Sequence, residues 1–164
     1  MTYLYENLSP ERFQQLCQAL LVASFPNAQC LPVAQPDGGR DAFWTIRNLR
    51  KDTPEIYIFQ VKFSRTPDRR EEDFVEKICR DESPKVKSLI QRGAKAYYLL
   101  TNVKGTAHPD SGSIDKLDSA LTPCLGLPSY CWWRDDLDRR IDNQANIKWS
   151  YPEIIRGSDL LQGL

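Results

Sequence analysis

The chain has 164 residues, of which 41% are hydrophobic, and its 22 basic and 22 acidic side chains give a formal net charge of zero. This length can bury one sizeable core but leaves no room for two full domains. A neutral total argues against a protein that coats nucleic acid by bulk electrostatics, although a local basic surface can exist within it.

The first part of the chain predicts one helix followed by three strands. Ser9 and Pro10 supply a cap and a first helical position, and apolar residues then recur at helical spacing. Three extended runs follow at 29–33, 41–46 and 56–62, and we expect them to form a meander.

The second part predicts helices that alternate with strands. Two helical pieces are expected at 72–80 and 84–92, because Ser83 and Pro84 supply a new cap and first turn between them. The remaining predicted elements are a buried strand at 94–101, a helix at 113–121, a short strand at 129–133 and a helix at 135–141. The predicted fold class is α/β, with a mixed central sheet flanked by helices in the order α-β-β-β-α-β-α-β.

The domain is expected to cover residues 1–150. The tail at 151–164 has the composition of a linker, and we expect it to lead into a larger protein.

Several classes of protein are excluded by patterns that the sequence lacks. No stretch of eighteen apolar residues and no secretory signal occurs, so we expect a cytoplasmic protein without membrane contact. Neither a G-x-x-x-x-G-K-[ST] nor a G-x-G-x-x-G motif is present, which predicts that no nucleotide is bound. The cysteines are odd in number and lack a C-x-x-C pair, so buried thiols are expected rather than a disulfide framework or a zinc ribbon. They are Cys17, Cys30, Cys79, Cys124 and Cys131.

The strongest functional signal is an acidic residue, Asp41, at the start of one predicted strand and a basic residue, Lys62, at the end of the next. Neighbouring strands can bring a carboxylate and an ammonium within reach of one phosphate. A hard cation held by Asp41 would polarise that phosphate and acidify a bound water, while Lys62 would orient the water or neutralise growing charge. The pattern predicts metal-dependent hydrolysis of phosphodiesters.

Each part of this signal also has a structural alternative. Asp37 and Asp41 bracket two glycines, as in any tight turn, and a lysine that ends an apolar strand is often only a solvent-facing terminus. Trp132 and Trp133 could stack on bases, but aromatic residues on a short strand favour a place in the core. Four basic residues near the predicted site are candidates for phosphate contact. They are Arg40, Arg65, Arg69 and Arg70.

Taken together, these motifs resemble the Mrr-like members of the PD-(D/E)xK restriction-endonuclease superfamily. The similar segments are the opening helix at 8–17, the turn Asp37-Gly38-Gly39-Arg40-Asp41 and the strand end Gln60-Val61-Lys62. The resemblance implies a restriction-endonuclease-like core, with Asp41 as the magnesium ligand and Lys62 as the catalytic lysine. It also implies a second metal site at the Gln60 side chain or the Val61 carbonyl.

Three later segments are similar to the N-terminal effector domains that such nucleases form in large bacterial antiviral NTPases of the STAND type. They are Gly93-Ala94, Leu100-Thr101-Asn102-Val103 and Trp132-Trp133-Arg134-Asp135-Asp136-Leu137. The sequence departs from the family at Gln14, where a glutamate often follows the phenylalanine of the opening helix. Amides at both Gln14 and Gln60 would hold a cation less tightly until substrate phosphates complete the shell. Glu11 is an alternative ligand, although its place in the first helical turn favours stabilisation of the helix dipole.

The sequence therefore predicts a DNA endonuclease domain that uses Mg²⁺ or Mn²⁺ and acts as the effector of an antiphage defence protein. One active site per domain implies that oligomerisation of the parent protein pairs two copies for double-strand cleavage. The alternative is a catalytically decayed module that binds nucleic acid or a partner protein, and RNA remains open as a substrate.

Overall fold

The protein is built on a five-stranded sheet in the order β1-β2-β3-β4-β5. This computed structural model describes residues 1–34, 38, 40–47, 52–68, 71–105 and 113–162. The strands are β1 (Gln29–Cys30), β2 (Ala42–Ile46), β3 (Glu55–Lys62), β4 (Ala94–Thr101) and β5 (Ser129–Trp132). The helices are α1 (Pro10–Ser24), α2 (Glu71–Gln91), α3 (Ser113–Leu125), α4 (Arg134–Asp142), α5 (Ala145–Ser150) and α6 (Gly157–Gln162), with 3₁₀ turns at Tyr5–Asn7 and Pro152–Ile154.

The pairing of the strands makes the sheet mixed. The first three strands form an antiparallel meander, while β3, β4 and β5 run parallel to one another. Parallel neighbours require a crossover, and α2 and α3 supply the two crossovers. The predicted fold class, an α/β fold with a mixed central sheet flanked by helices, is confirmed. Strand β1 is shorter than the predicted run at 29–33, since only two of its residues pair.

Alternate residues of the strands face two separate cores. Phe59 packs with α1, whereas its neighbour Ile58 packs with α2 and α3. The side chain of Ser9 caps α1 by accepting a hydrogen bond from the N–H of Arg12 at 3.1 Å, as the sequence predicts. Helices α1 and α2 therefore cover opposite faces of the sheet.

Helix α2 is one continuous helix, so the predicted break at Ser83 and Pro84 is wrong. Proline removes one hydrogen bond from the helix interior, which usually kinks or ends the helix. Here apolar residues on both sides of Pro84, among them Ile78 and Val86, are buried in the same core, and this burial stabilises both halves of the helix. The Ser83 hydroxyl, expected as a cap, instead donates to the carbonyl of Cys124 at 3.3 Å.

Helices α2 and α3 are joined by a disulfide between Cys79 and Cys124, which corrects the prediction that all cysteines are thiols. The two residues are 45 positions apart, and their pairing depends on the crossover geometry, which spacing does not reveal. The other three cysteines are thiols, and Cys17 is fully buried.

Reduction of this disulfide is expected to lower the stability of the protein. A crosslink that closes a loop of 45 residues restricts the unfolded chain and typically contributes about 2–4 kcal/mol. For a chain of this size the melting temperature should fall by about 5–15 °C. Thermal unfolding with and without dithiothreitol measures the effect. Cys79→Ser should remove the response to the reductant and Cys30→Ser should preserve it, whereas equal melting temperatures in both conditions would contradict the prediction.

Residues immediately after α5 belong to the packed domain. Tyr151, Ile154 and Ile155 are buried in the core that contains α1, and the N–H of Leu4 donates to the carbonyl of Ile154 at 2.8 Å. The packed region thus extends beyond residue 150, where the sequence predicts a linker to begin.

The aromatic pair at the end of β5 lies in the core, since Trp132 is 7% and Trp133 1% exposed. This confirms the structural interpretation of the pair over base stacking. Among the helices that the structure describes, none combines the length and the apolar character needed to cross a bilayer.

Candidate active site

The chain bulges where it enters β2, and this bulge orients Asp41. Ala42 is the register partner of Phe59, yet the N–H of Asp41 also donates to the Phe59 carbonyl, at 2.8 Å. Two successive residues thus face one residue of β3, as in a β-bulge, which turns a side chain away from the regular alternation. The carbonyl of Asp41 accepts from the N–H of Leu31 at 2.9 Å and from the Gln18 amide at 3.1 Å.

The Asp41 carboxylate is almost fully buried, at 4% exposure, and is held by two donors. The Gln14 amide of α1 donates to Oδ1 at 2.5 Å, and the N–H of Val61 donates to Oδ2 at 2.7 Å. The carboxylate thus accepts a main-chain N–H of β3 that a backbone carbonyl of the neighbouring strand would accept in a regular sheet. Burial, and then the charge of Asp41, raise the pKa of the neighbouring Cys17, which keeps that thiol neutral.

The side chains of Gln60 and Lys62 lie on the other face of β3, the one covered by α2. Gln60 is buried, and its Oε1 has no hydrogen-bond partner within the described part of the chain. The Lys62 ammonium forms an ion pair with Glu82 of α2, with Nζ 2.5 Å from Oε1. Lys62 is 29% exposed, whereas Glu82 is completely buried.

The structure therefore brings some predicted site residues together and holds others apart. Gln14, Asp41 and Val61 are joined directly by hydrogen bonds, as a shared site requires. The Asp41 carboxylate is held by a helix on one face of the sheet and the Lys62 ammonium by a helix on the opposite face. That both groups serve one phosphate stays a prediction, and it requires Lys62 to leave Glu82.

Glu82 is a residue of this site that the sequence argument missed. It lies among charged residues of α2 and resembles part of a solvated face, but it is four positions after Ile78 and four before Val86. Both of those residues are buried, so Glu82 stands on the apolar stripe of its helix. A single charged residue on an apolar stripe indicates a buried carboxylate, and a buried carboxylate requires a partner. This pattern could have identified Glu82 from the sequence.

Two of the four predicted phosphate-contact residues can be placed. Arg40 is half-buried with its guanidinium 4.5 Å from the ring centre of Phe43, and Arg65 is exposed and lies 5.9 Å from that of Phe63. Arg69 and Arg70 lie outside the described residues. The role of all four in nucleic-acid binding stays a prediction.

The donor atoms at the site suit a hard divalent cation in kind. Carboxylate, amide and main-chain oxygens are the ligands that Mg²⁺ prefers, and Asp41, Gln14 and Val61 carry such groups. The unpartnered buried Oε1 of Gln60 is also of this kind, but it lies on the other face of β3. The described residues contain no group of three or more His, Cys, Asp or Glu side chains that could hold a metal. A site with Asp41 as its single carboxylate would depend on substrate phosphates for part of its shell.

A second buried polar network fixes the ends of β3 and β4 next to the site. Asn102 accepts from the N–H of Ser64 at 2.7 Å and donates to its carbonyl at 2.6 Å. Arg134 forms an ion pair with Glu6 and donates to the carbonyl of Tyr3 at 2.6 Å. Burial alone would raise the pKa of Glu6, but the hydrogen bonds and charge of Arg134 outweigh it and lower that pKa.

No protein-family profile and no curated protein matches the chain. Among solved structures, the chain is similar to the MspJI restriction endonuclease in complex with a 27-mer oligonucleotide, with 15% sequence identity and a TM-score of 0.47. The similarity covers 84% of this chain and 28% of that one.

Proposed function

We propose that this chain is a metal-dependent endonuclease domain that hydrolyses the phosphodiester bonds of DNA. The observation that carries the proposal is the Asp41 carboxylate, which is buried and fixed by the Gln14 amide and by the N–H of Val61, the residue before Lys62 in β3. A buried acid that stays fixed beside a strand end provides the preorganised negative charge that a cation site requires.

In this mechanism, Asp41 and Gln14 would hold Mg²⁺ or Mn²⁺, with Gln60 or the Val61 carbonyl at a second site. When bound, the ion supplies Lewis-acid polarisation of the phosphate and an acidified water. The hydrogen bonds from Gln14 and Val61 orient Asp41 before substrate arrives. Lys62 would neutralise charge that develops on the phosphate, and Arg40 and Arg65 would bind neighbouring phosphates.

The finer assignment follows the resemblance of the sequence motifs. We propose an Mrr-like nuclease that serves in the cytoplasm as the effector domain of a larger antiphage protein of the STAND type. Oligomerisation of that protein would place two copies on opposite DNA strands, so the isolated domain should cut slowly.

A second candidate function is a nucleic-acid-binding module whose catalytic centre has decayed. Two observations favour it: Lys62 is engaged by Glu82, and Asp41 is the single carboxylate among the proposed metal ligands. Such a module would bind DNA in a strongly salt-dependent manner without cutting it.

A plasmid-nicking assay at high domain concentration distinguishes the two functions. We expect conversion of supercoiled plasmid to open circles with Mg²⁺ or Mn²⁺ and none with EDTA, because the chemistry depends on the cation. The same assay with single-stranded and duplex RNA identifies the substrate class. Tight DNA binding without cleavage under all metal conditions would favour the binding module and contradict the nuclease.

A further inference from the structure

Glu82 is a buried carboxylate toward which two lysines point. Nζ of Lys62 lies 2.5 Å from Oε1, and Nζ of Lys85 lies 3.4 Å from the same oxygen. Glu82 is completely buried, while Lys62 is 29% and Lys85 47% exposed. Because a buried charge without a counter-ion is strongly disfavoured, Glu82 has to keep at least one of these cations at all times.

The carboxylate has unused capacity for a second cation. Its other oxygen, Oε2, is buried and has no hydrogen-bond partner in the part of the chain that the structure describes. An ammonium can therefore engage Oε2 before another one leaves Oε1. Lys85 is suited to this exchange, because it lies one helical turn from Glu82 and its flexible stem begins at an exposed position.

The position of Lys62 shows why such an exchange is needed. Its ammonium is held on the α2 face of β3, while the Asp41 carboxylate is bonded to α1 on the opposite face. Lys62 can serve a phosphate beside Asp41 only after it leaves Glu82. Without a replacement, that movement would leave Glu82 buried and unpaired.

We propose that Glu82 is the positioning residue of Lys62, and that Lys85 takes over Glu82 when Lys62 moves to the substrate phosphate. Glu82 holds the ammonium close to the strand end in the free protein. Lys85 keeps the buried carboxylate neutralised while Lys62 is away. The purpose of the exchange rests on the proposed nuclease function, but the exchange itself is a property of these three side chains.

Labelling of lysine amines, followed by mass spectrometry, tests the exchange without DNA. In the wild-type protein Lys62 should react more slowly than Lys77, an exposed lysine on the same helix. In Lys62→Met, Lys85 should react at least about threefold more slowly than in the wild type, because it no longer shares Glu82 with Lys62 and pairs with it more tightly. Lys77 is the internal control and should not change. An unchanged rate at Lys85 would overturn the proposal.

Kinetics of the full chain provide the second test. Lys85→Met should lower kcat about tenfold with little change in KM. The free-energy cost of leaving Glu82 without a counter-ion arises only when Lys62 moves to the substrate. Lys77→Met should cleave like the wild type. In a Glu82→Gln background, which has no buried charge to neutralise, Lys85→Met should cause no further loss.

An equal loss from Lys85→Met in both backgrounds, or no loss in either, would overturn the exchange. Melting temperatures of all variants show whether they fold. If Glu82→Gln fails to fold, the labelling of Lys62→Met still decides the proposal. A wild-type protein that cleaves no nucleic acid would refute the proposed function, and the labelling result would then decide the exchange by itself.

Discussion

Asp41→Asn is expected to reduce plasmid cleavage by at least about a hundredfold. Loss of a residue that only orients a metal ligand typically lowers metal affinity or activity about 10–100-fold, and Asp41 is proposed to be a ligand itself. Asparagine keeps the size of the side chain and one oxygen that can accept from the Val61 N–H. It removes the negative charge that a divalent cation requires. Rates of nicking at saturating Mg²⁺, compared with the wild type, measure the effect.

Asparagine is a sharper test than alanine at this position. Asp41→Ala would leave the Val61 N–H and the Gln14 amide without their acceptor, and a buried unsatisfied group costs about 1–3 kcal/mol. Lost activity in the alanine variant would therefore be mixed with lost stability. Asp81→Asn, on the exposed face of α2, is the matched control and should cleave normally. Full activity of Asp41→Asn with unchanged metal dependence would contradict the site.

The order of the strands, and the position of Asp41 at the start of one of them, could be predicted from the sequence because they depend on local patterns. Apolar runs bounded by polar turns identify β2, β3 and β4, and alternation along β3 places Gln60 and Lys62 on one face. The bulge that turns Asp41 toward Gln14 leaves no such trace. It depends on a hydrogen bond across two strands, which becomes visible only in the folded sheet.

The features that sequence analysis missed all depend on tertiary contacts. Pro84 is a strong local signal for a helix start, but burial of apolar residues on both sides overrides it. Cys79 and Cys124 meet only because α2 and α3 are adjacent crossovers. Glu82 and Arg134 are charged residues in charged segments, and each pairs with a residue on a different element, Lys62 and Glu6 respectively.

Arg134→Met is expected to cause the largest loss of stability among single substitutions outside the hydrophobic cores. Arg134 is buried and bonded to Glu6, to the Asn102 carbonyl and to the Tyr3 carbonyl. Removing one member of a buried ion pair costs about 3–5 kcal/mol, and the lower end applies here because Glu6 is 26% exposed and water solvates part of its charge. The melting temperature should therefore fall by about 10 °C or more. Arg139→Met, at an exposed position of the same helix, should change it little.

The dependence of this loss on pH identifies its cause. Because the folded pKa of Glu6 is lowered from the ordinary 4.5, its pairing contributes stability that is fully present above that pH. The contribution is lost as the pH falls through the folded value, where Glu6 takes up a proton. The difference in unfolding free energy between the wild type and Arg134→Met should therefore shrink in acid, as denaturant titrations between neutral pH and pH 3 would measure. A difference that stays constant over this range would assign the loss to packing of the arginine stem, because packing does not depend on the charge of Glu6.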